Sequence, residues 1–334
     1  MNQAGEIISI SPRYAIPGGE VIIECEGFEF EYGTEYGVYF GGLRARLVGV
    51  SRKRIVAIVP EVFTGEVEVY LESGTDQSNL LSIGVGEMLA EDLHIVANPA
   101  IDPIDGSIIL TRSGSRGQKL PVTLFRLTPE GELLEMPIDI MNPTGLAFNG
   151  EGELFVTNRA SGEVVKIGRD GNYFTFSSNL GIATGLAFNS KGELFVGDRS
   201  GTIYKISDSG NAEIFATLEP SMAAYHLAFD KEDNLFVTAP GFSSFDTIWK
   251  IDRRGIVDVF FRGLGRPQGL AFDDEGNLYV AACLQGRRGI VRISAEDQEA
   301  ELFVAGMNVV GLCFNGSSEL IVATNNKVYG LELR

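Results

Sequence analysis

The sequence contains few of the residues that crosslink a chain or bind transition metals. Its 334 residues include three cysteines, two histidines and one tryptophan. Cys25, Cys283 and Cys313 are an odd number of thiols, and no two of them have the spacing of a zinc site. The composition therefore gives no support for a disulfide framework or a cysteine-based metal site.

Long apolar runs are also absent. Apolar runs such as 108–110 and 309–314 are far shorter than the roughly 20 residues that a membrane-spanning helix needs. The first residues, MNQAG, have neither the basic nor the apolar segment of a secretion signal. We therefore expect a soluble chain with no membrane insertion, either cytoplasmic or secreted after loss of its signal, and the compartment stays open.

Basic residues are scarce. There are 27 Lys and Arg residues against 45 Asp and Glu residues, which makes the net charge −18. Binding to a phosphate backbone depends on Lys and Arg side chains that neutralise it. We therefore expect this acidic chain to have no nucleic-acid partner.

What the sequence does contain is an internal repeat. One six-residue pattern recurs as PTGLAF (143–148), ATGLAF (183–188), AYHLAF (224–229), PQGLAF (267–272) and VVGLCF (309–314). From the third residue of one copy to that of the next, the steps are 40, 41, 43 and 42 residues. A period of this length is typical of one blade of a β-propeller.

Each copy continues with a turn and further short apolar strands, for example 152–156, 164–167 and 173–176. Four strands joined by short turns predict one antiparallel unit. A diverged first copy begins at Pro99, so the sequence predicts six units. The last copy lacks its fourth strand, and we expect the stretch 82–90 to supply it and close the ring.

Residues 6–86 do not share this period. They form short runs that alternate apolar and polar residues, separated by glycine and proline turns. This pattern predicts a sandwich of about seven strands.

Both parts resemble known families. The segments ISP (10–12), PGG (17–19), GF (27–28), FGG (40–42) and IVAIVP (55–60) are similar to the TIG (IPT) immunoglobulin-like domain. The later repeats resemble NHL repeats and the propellers of the SMP-30/gluconolactonase superfamily. The resemblance implies an all-β chain with a TIG/IPT immunoglobulin-like sandwich at 1–86. A six-bladed β-propeller of four-stranded antiparallel blades would follow at 87–334.

In a propeller, the residue before each repeated glycine is expected to surround one end of the central channel, which we call the channel mouth. These residues, the ring positions, are Asn98, Thr144, Thr184, Tyr225, Gln268 and Val310. The resemblance to SMP-30 lactonases implies a divalent metal such as calcium there. None of the six is a carboxylate, and calcium prefers carboxylate oxygens. We therefore expect no metal and no cofactor, unless the lactonase alternative holds.

Both histidines are predicted near the channel mouth. His226 takes the place of the repeated glycine in the fourth unit, and His94 lies shortly before the first unit. A general base or proton relay is one interpretation, and a hydrogen-bonded histidine in a turn is the other.

Charge is predicted to divide between the two ends of the channel. The basic residues expected at the channel mouth are Arg112, Arg116, Lys119, Arg159, Arg199, Arg287, Arg288 and Lys327, against Glu163, Asp198 and Asp246. The turns at the opposite end, the acidic end, carry twelve carboxylates against two lysines. The arginines are candidates for binding an anion. Solubility alone could also explain these charges.

The leading hypothesis is a binding or scaffolding protein that recognises an anionic small molecule or a protein segment at the channel mouth. The alternative is a lactonase, esterase or lyase on the same scaffold with a degenerate metal site. A third hypothesis is that the chain is a purely structural module of a larger assembly.

Overall fold

The computed structural model describes residues 5–28, 36–61, 64–114, 118–241 and 245–334, and this part of the chain contains strands and no helix. Consequently, none of it forms an apolar helix of membrane-spanning length.

The N-terminal strands form two sheets around one core. The strands are β1 (Glu6–Ser11), β2 (Tyr14–Ala15), β3 (Glu20–Glu26), β4 (Tyr36–Phe40), β5 (Leu43–Arg44), β6 (Arg46–Val50), β7 (Arg54–Ile58), β8 (Gly65–Ser73), β9 (Asp76–Gln77) and β10 (Leu81–Val85). One sheet has the order β1-β3-β7-β6, and the other includes β2-β10-β8-β4-β5. In β8, Val67 and Val69 are buried between exposed glutamates, as period-two alternation predicts. Residues of both sheets, including Ile23 and Ile83, share one buried cluster.

Each sequence repeat forms an antiparallel unit of four strands. In chain order the strands are β11 (Glu87–Ala90), β12 (Ala100–Ile101), β13 (Ile108–Thr111), β14 (Leu124–Leu127), β15 (Leu133–Met136), β16 (Pro143–Phe148), β17 (Leu154–Asn158), β18 (Glu163–Ile167), β19 (Tyr173–Ser177), β20 (Ala183–Phe188), β21 (Leu194–Asp198), β22 (Thr202–Ile206), β23 (Ala212–Thr217), β24 (His226–Phe229), β25 (Leu235–Thr238), β26 (Asp246–Ile251), β27 (Val257–Gly265), β28 (Leu270–Phe272), β29 (Leu278–Leu284), β30 (Arg287–Ile293), β31 (Ala300–Ala305), β32 (Val309–Asn315), β33 (Glu319–Thr324) and β34 (Val328–Glu332). The inner strands are β12, β16, β20, β24, β28 and β32.

The inner strands close into a ring. Each contacts the inner strands of the neighbouring units, and β32 contacts β12. The last unit is completed by β11, which pairs antiparallel with β34 through Glu87 opposite Gly330. The stretch predicted to supply this strand is divided, because β10 belongs to the N-terminal sheet and only β11 pairs with β34.

The turns between first and second strands share one capping pattern. In the second unit, the Asn149 side-chain oxygen accepts hydrogen bonds from the backbone N–H groups of Glu151 (3.1 Å) and Glu153 (2.9 Å). Asp230 and Asp273 do the same in later units. Such Asx turns explain the recurring Asn or Asp without a calcium loop.

A recurring basic residue of the third strand pairs with these turns. The Lys166 ammonium lies 2.7 Å from a Glu153 carboxylate oxygen and holds the pKa of that carboxyl below its usual range. Lys205 and Glu193 repeat the pair at 2.8 Å. Lys166 also lies over the Phe155 ring, 5.6 Å from its centroid. The repeated lysine therefore contributes to the framework of each unit.

The N-terminal strands join the repeats through a shared sheet. β2 pairs in parallel with β10 on one side and with β31 on the other. Tyr14 lies opposite Val304, and its hydroxyl donates to the Arg334 carbonyl at 2.8 Å. Strand pairing therefore connects the N-terminal region to the outer strand of the fifth unit, which the sequence did not predict.

Candidate functional site

The arginine-bearing loops and the starts of the inner strands lie at one end of the ring. Pro143 at the start of β16 is opposite Asn158 at the end of β17, and Arg159 follows Asn158 directly. The third unit repeats this register with Ala183 opposite Asp198, followed by Arg199. Residues from both predicted sets are therefore near each other at the channel mouth.

Three ring positions are buried, and the Thr184 side chain hydrogen-bonds the neighbouring unit. Thr144, Thr184 and Tyr225 have no exposed surface. The Thr184 hydroxyl donates to the Gly197 carbonyl at 3.2 Å and accepts from the Tyr225 N–H at 2.9 Å. Burial, with Asp198 and Glu219 nearby, raises the pKa of Tyr225 to about 12. The Thr184 hydroxyl therefore links two neighbouring units, and none of the three side chains offers surface to a ligand.

Asn98 crosslinks three units. Its amide nitrogen donates to the Leu270 carbonyl at 2.8 Å, and its side-chain oxygen accepts from the Leu312 N–H at 3.1 Å. A Cβ added to Gly269 would lie 2.0 Å from that same oxygen. The Asn98 amide therefore closes the ring as a structural bridge.

Asn98→Ala is expected to lower the free energy of unfolding by about 1 to 3 kcal/mol, since a backbone N–H and a backbone carbonyl lose their partner. The measurement is the urea midpoint of purified protein. Asn325→Ala is the control, because Asn325 is exposed in a loop and should change stability by less than about 0.5 kcal/mol. Equal midpoints for the two variants would show that the bridge does not form.

The ring positions do not fit a divalent cation. Both polar atoms of the Asn98 side chain are used by backbone groups, and the Thr184 hydroxyl is buried in its own bonds. Across the described ranges, no cluster of three or more His, Cys, Asp or Glu side chains is arranged to hold a metal ion. The Asn98 and Thr184 side chains therefore have no free oxygen arranged to hold a cation.

The two histidines lie in different surroundings. His94 is exposed and forms an isolated β-bridge with Arg112. His226 is only 4 % exposed, and burial lowers its pKa to about 4, so it is neutral at physiological pH. His226 lines a cavity at the acidic end of the channel, as Asn98 does. The structure therefore does not bring the two histidines together as a pair at the mouth.

Arg159 and Arg199 form a pair of like charges at the channel mouth. Burial lowers the pKa of Arg159, and the neighbouring Arg199 charge lowers it further. Arg199 donates to the Met222 carbonyl, while its Nε is buried without a hydrogen-bond partner among the described residues. No described carboxylate forms an ion pair with either guanidinium. The pair therefore presents uncompensated positive charge.

The other predicted cations are distributed differently. Arg112 and Arg288 are exposed, and Arg116 lies outside the described residues. Arg287 donates to the carbonyls of Ser11 (2.7 Å) and Glu20 (3.4 Å), so it anchors the N-terminal strands rather than facing the mouth. Lys119 is paired with Asp139 at 2.8 Å, and Lys327 lies 3.6 Å from both Glu61 and Glu91. Because Arg287, Lys119 and Lys327 are bound to carbonyls or paired with carboxylates, the basic surface at the mouth is smaller than the sequence predicted.

A cavity of about 690 Å³ opens at the channel mouth beside the fourth, fifth and sixth units. Gln268 and Arg288 line it, as do Arg266 and Cys283. Arg266 was missed by the sequence reasoning. It stands directly before a proline and has a left-handed φ of 50°, and its N–H lies 3.2 Å from an Asp246 carboxylate oxygen. The sequence offered one signal for this residue: an arginine directly before the proline that begins the fourth copy of the repeated pattern.

Comparison with solved structures identifies the fold. An auxiliary nutrient binding protein from Bacteroides thetaiotaomicron superposes with a TM-score of 0.57 at 12% identity, over 99% of both chains. A proposed gluconolactonase gives 0.60 at 15%, over 74% of this chain and 91% of that one. A catalytically inactive virginiamycin B lyase variant from Staphylococcus aureus, bound to quinupristin, gives 0.55 at 16%, over 90% and 100%.

These likenesses show a β-propeller, and at such identities they show the fold alone. No protein family model matches the sequence, and no curated protein matches it. The same fold is present in a binding protein, a proposed hydrolase and a lyase.

Proposed function

We propose that this chain is a binding protein whose channel mouth recognises an anionic small molecule or an acidic protein segment. The observation that carries the proposal is the pair Arg159 and Arg199, two neighbouring guanidinium groups without a described anionic partner. Half-buried like charges are unfavourable alone, and a bound carboxylate would relieve both their repulsion and their desolvation.

The cavity at the channel mouth, which has neither Arg159 nor Arg199 among its described lining residues, supports a small molecule as the anion. Its volume of about 690 Å³ is within the range of small-molecule sites. Arg266 and Arg288 add positive charge to its lining, and the Gln268 side chain adds a neutral donor and acceptor. A sugar acid, which combines a carboxylate with hydroxyl groups, has matching chemistry.

The scaffold of the proposal is a six-bladed propeller at 87–334 preceded by a TIG/IPT immunoglobulin-like domain at 1–86. The buried cluster of the N-terminal strands, whose buried members include one residue of the repeats, Ala305, and the pairing of β11 with β34 support this division. The parallel pairing of β2 with β31 would make the N-terminal domain a fixed spacer or a second contact surface.

The test is the double variant Arg159→Glu/Arg199→Glu, assayed by thermal shift and calorimetry with galacturonate, gluconate and citrate. Wild type should bind at least one of these anions, and the variant should bind it about 100-fold more weakly, because two charge-assisted bonds become repulsions. The control is Lys191→Glu/Lys231→Glu, which makes the same charge change at exposed lysines of the acidic end. It should retain wild-type affinity.

Two results would contradict the proposal. One is an anion affinity that the Arg159→Glu/Arg199→Glu change leaves unaltered. The other is divalent-metal-dependent turnover of an aldonolactone that disappears in Gln268→Ala, which would favour the lactonase alternative.

A further inference from the structure

A second cavity occupies the other end of the channel. Its volume is about 680 Å³, and every inner strand contributes to its lining. The Asn98 bridge lies at its inner limit, because Asn98 lines this cavity and contacts Leu270 and Leu312 across the ring. Gln268 and Arg288 line the cavity at the channel mouth, and the two cavities share no described lining residue. The two cavities are therefore distinct sites.

The wall of this cavity is mainly apolar, with polar side chains such as Asn149, Asn189 and Ser190 also in its lining. Inner-strand residues two positions after the repeated glycine provide small side chains at one level, namely Ala147, Ala187, Ala228, Ala271 and Cys313. The phenylalanine that follows each of them lies nearer the opening, and each of these phenylalanines is only partly buried. A channel lined by small residues and bordered by aromatic rings leaves room for an apolar ligand.

One buried polar side chain lines the inner part of this apolar cavity. His226 takes the place that glycine holds in Gly145, Gly185, Gly269 and Gly311. The imidazole is 4 % exposed, and no described residue forms a hydrogen bond or an ion pair with it. A buried polar group is ordinarily hydrogen-bonded, and one left without a partner in a cavity is a place for a ligand to bond.

Charge around the opening selects against anions. The turns at this end carry the exposed carboxylates Glu151, Glu232, Asp274 and Glu275. The neutral imidazole provides one donor and one acceptor but no charge to neutralise an anion. The volume, the apolar wall and the acidic rim together fit an uncharged molecule of modest size.

We propose that the cavity at the acidic end binds an uncharged small molecule with an apolar, ring-containing body and one polar group that hydrogen-bonds His226. This site is separate from the proposed anion site at the channel mouth and does not depend on it. The protein would then bind two chemically different ligands at opposite ends of one channel.

The test uses N-phenyl-1-naphthylamine, an uncharged fluorescent probe that has apolar rings and one N–H group. Its fluorescence should rise saturably on titration, with one probe bound per chain. His226→Phe, which keeps a ring and removes both nitrogens, should weaken binding about tenfold. His226→Gln, which keeps a hydrogen-bonding group, should stay within about threefold of wild type.

Ala228→Leu provides a second variant that leaves the histidine in place. Ala228 lies two residues after His226 on β24, so both side chains are on the same face of the strand. Added bulk there should reduce probe affinity at least tenfold, while Ala160→Leu, in an exposed loop at the channel mouth, should have no effect. Arg159→Glu/Arg199→Glu should also bind the probe normally, which separates this test from that of the anion site.

The negatively charged analogue 8-anilinonaphthalene-1-sulfonate tests the acidic rim. In the Arg159→Glu/Arg199→Glu background it should bind at least tenfold more weakly than the uncharged probe. The proposal is overturned if wild type shows no saturable binding of N-phenyl-1-naphthylamine. It is also overturned if His226→Phe and Ala228→Leu bind the probe as wild type does, or if the sulfonate binds equally well.

Discussion

Gly145→Ala is expected to lower the free energy of unfolding by about 3 kcal/mol, because the inner strands have no room for a side chain there. A Cβ at this position would lie 2.5 Å from the Thr184 carbonyl oxygen and 3.0 Å from the Leu186 nitrogen. Both atoms belong to the backbone of the next unit, so neither can move aside as a flexible side chain does. The strain would fall on the contact between the inner strands of the second and third units, β16 and β20.

Gly150→Ala is the matched control. Gly150 belongs to the same unit, an added Cβ would meet no atom within 4 Å, and its φ is outside the left-handed region. The substitution should be neutral or stabilise by about 0.5 kcal/mol, because alanine restricts the unfolded chain. Urea midpoints of the two variants measure the difference. Equal midpoints would show that the inner strands are farther apart than described.

The second large effect is a loss of stability in mild acid caused by His226. Burial lowers the pKa of His226 to about 4 in the folded protein, against about 6.5 in an unfolded chain. Between about pH 4 and about pH 6.5, the His226 imidazole binds a proton in the unfolded chain and does not bind one in the folded protein. Stability therefore falls as pH decreases, by about 1.4 kcal/mol per pH unit, or about 2 kcal/mol from pH 6.5 to pH 5.

Urea denaturation of wild type and His226→Gln at half-unit steps from pH 6.5 to pH 5 tests this effect. The variant carries no titrating group at the position, so its stability should change by about 2 kcal/mol less over this range. His94→Gln removes the exposed histidine and should leave the wild-type slope unchanged. A wild-type slope retained by His226→Gln would show that the imidazole is protonated in the folded protein.

The two proposed sites differ in charge and in burial. At the mouth, Arg159 and Arg199 are half-buried at loop positions. At the acidic end, His226 is on an inner strand, where burial keeps it neutral. A screen with anions alone would therefore detect only the first site, and a screen with apolar probes would detect the second.

Much of the repeat architecture could be predicted from the sequence. The 40 to 43-residue period located the strands of each unit, and the capped Asn and Asp turns have the positions that the pattern indicates. The strand that completes the last unit was predicted within 82–90, although only β11 pairs there. Local alternation and turn chemistry determine such features, so a single sequence is enough to recognise them.

The site was predicted less well, because side-chain direction at the ring positions depends on neighbouring units. Thr144, Thr184 and Tyr225 were placed at the channel mouth, yet they are buried between inner strands. Arg287 was expected to face a ligand, yet it bonds carbonyls of the N-terminal strands. Contacts between segments far apart in sequence decide these directions, and periodicity has no information about them.

The sequence by itself determined an all-β chain of repeated four-stranded units with an unequal distribution of charge, since strand period and turn residues are local properties. Only the tertiary structure decided that Asn98 bridges three units, that β2 joins the N-terminal sheet to β31, and that His226 lines a separate cavity. The physical reason is that closing a ring brings together residues more than 100 positions apart. Their burial and partners exist only after that closure.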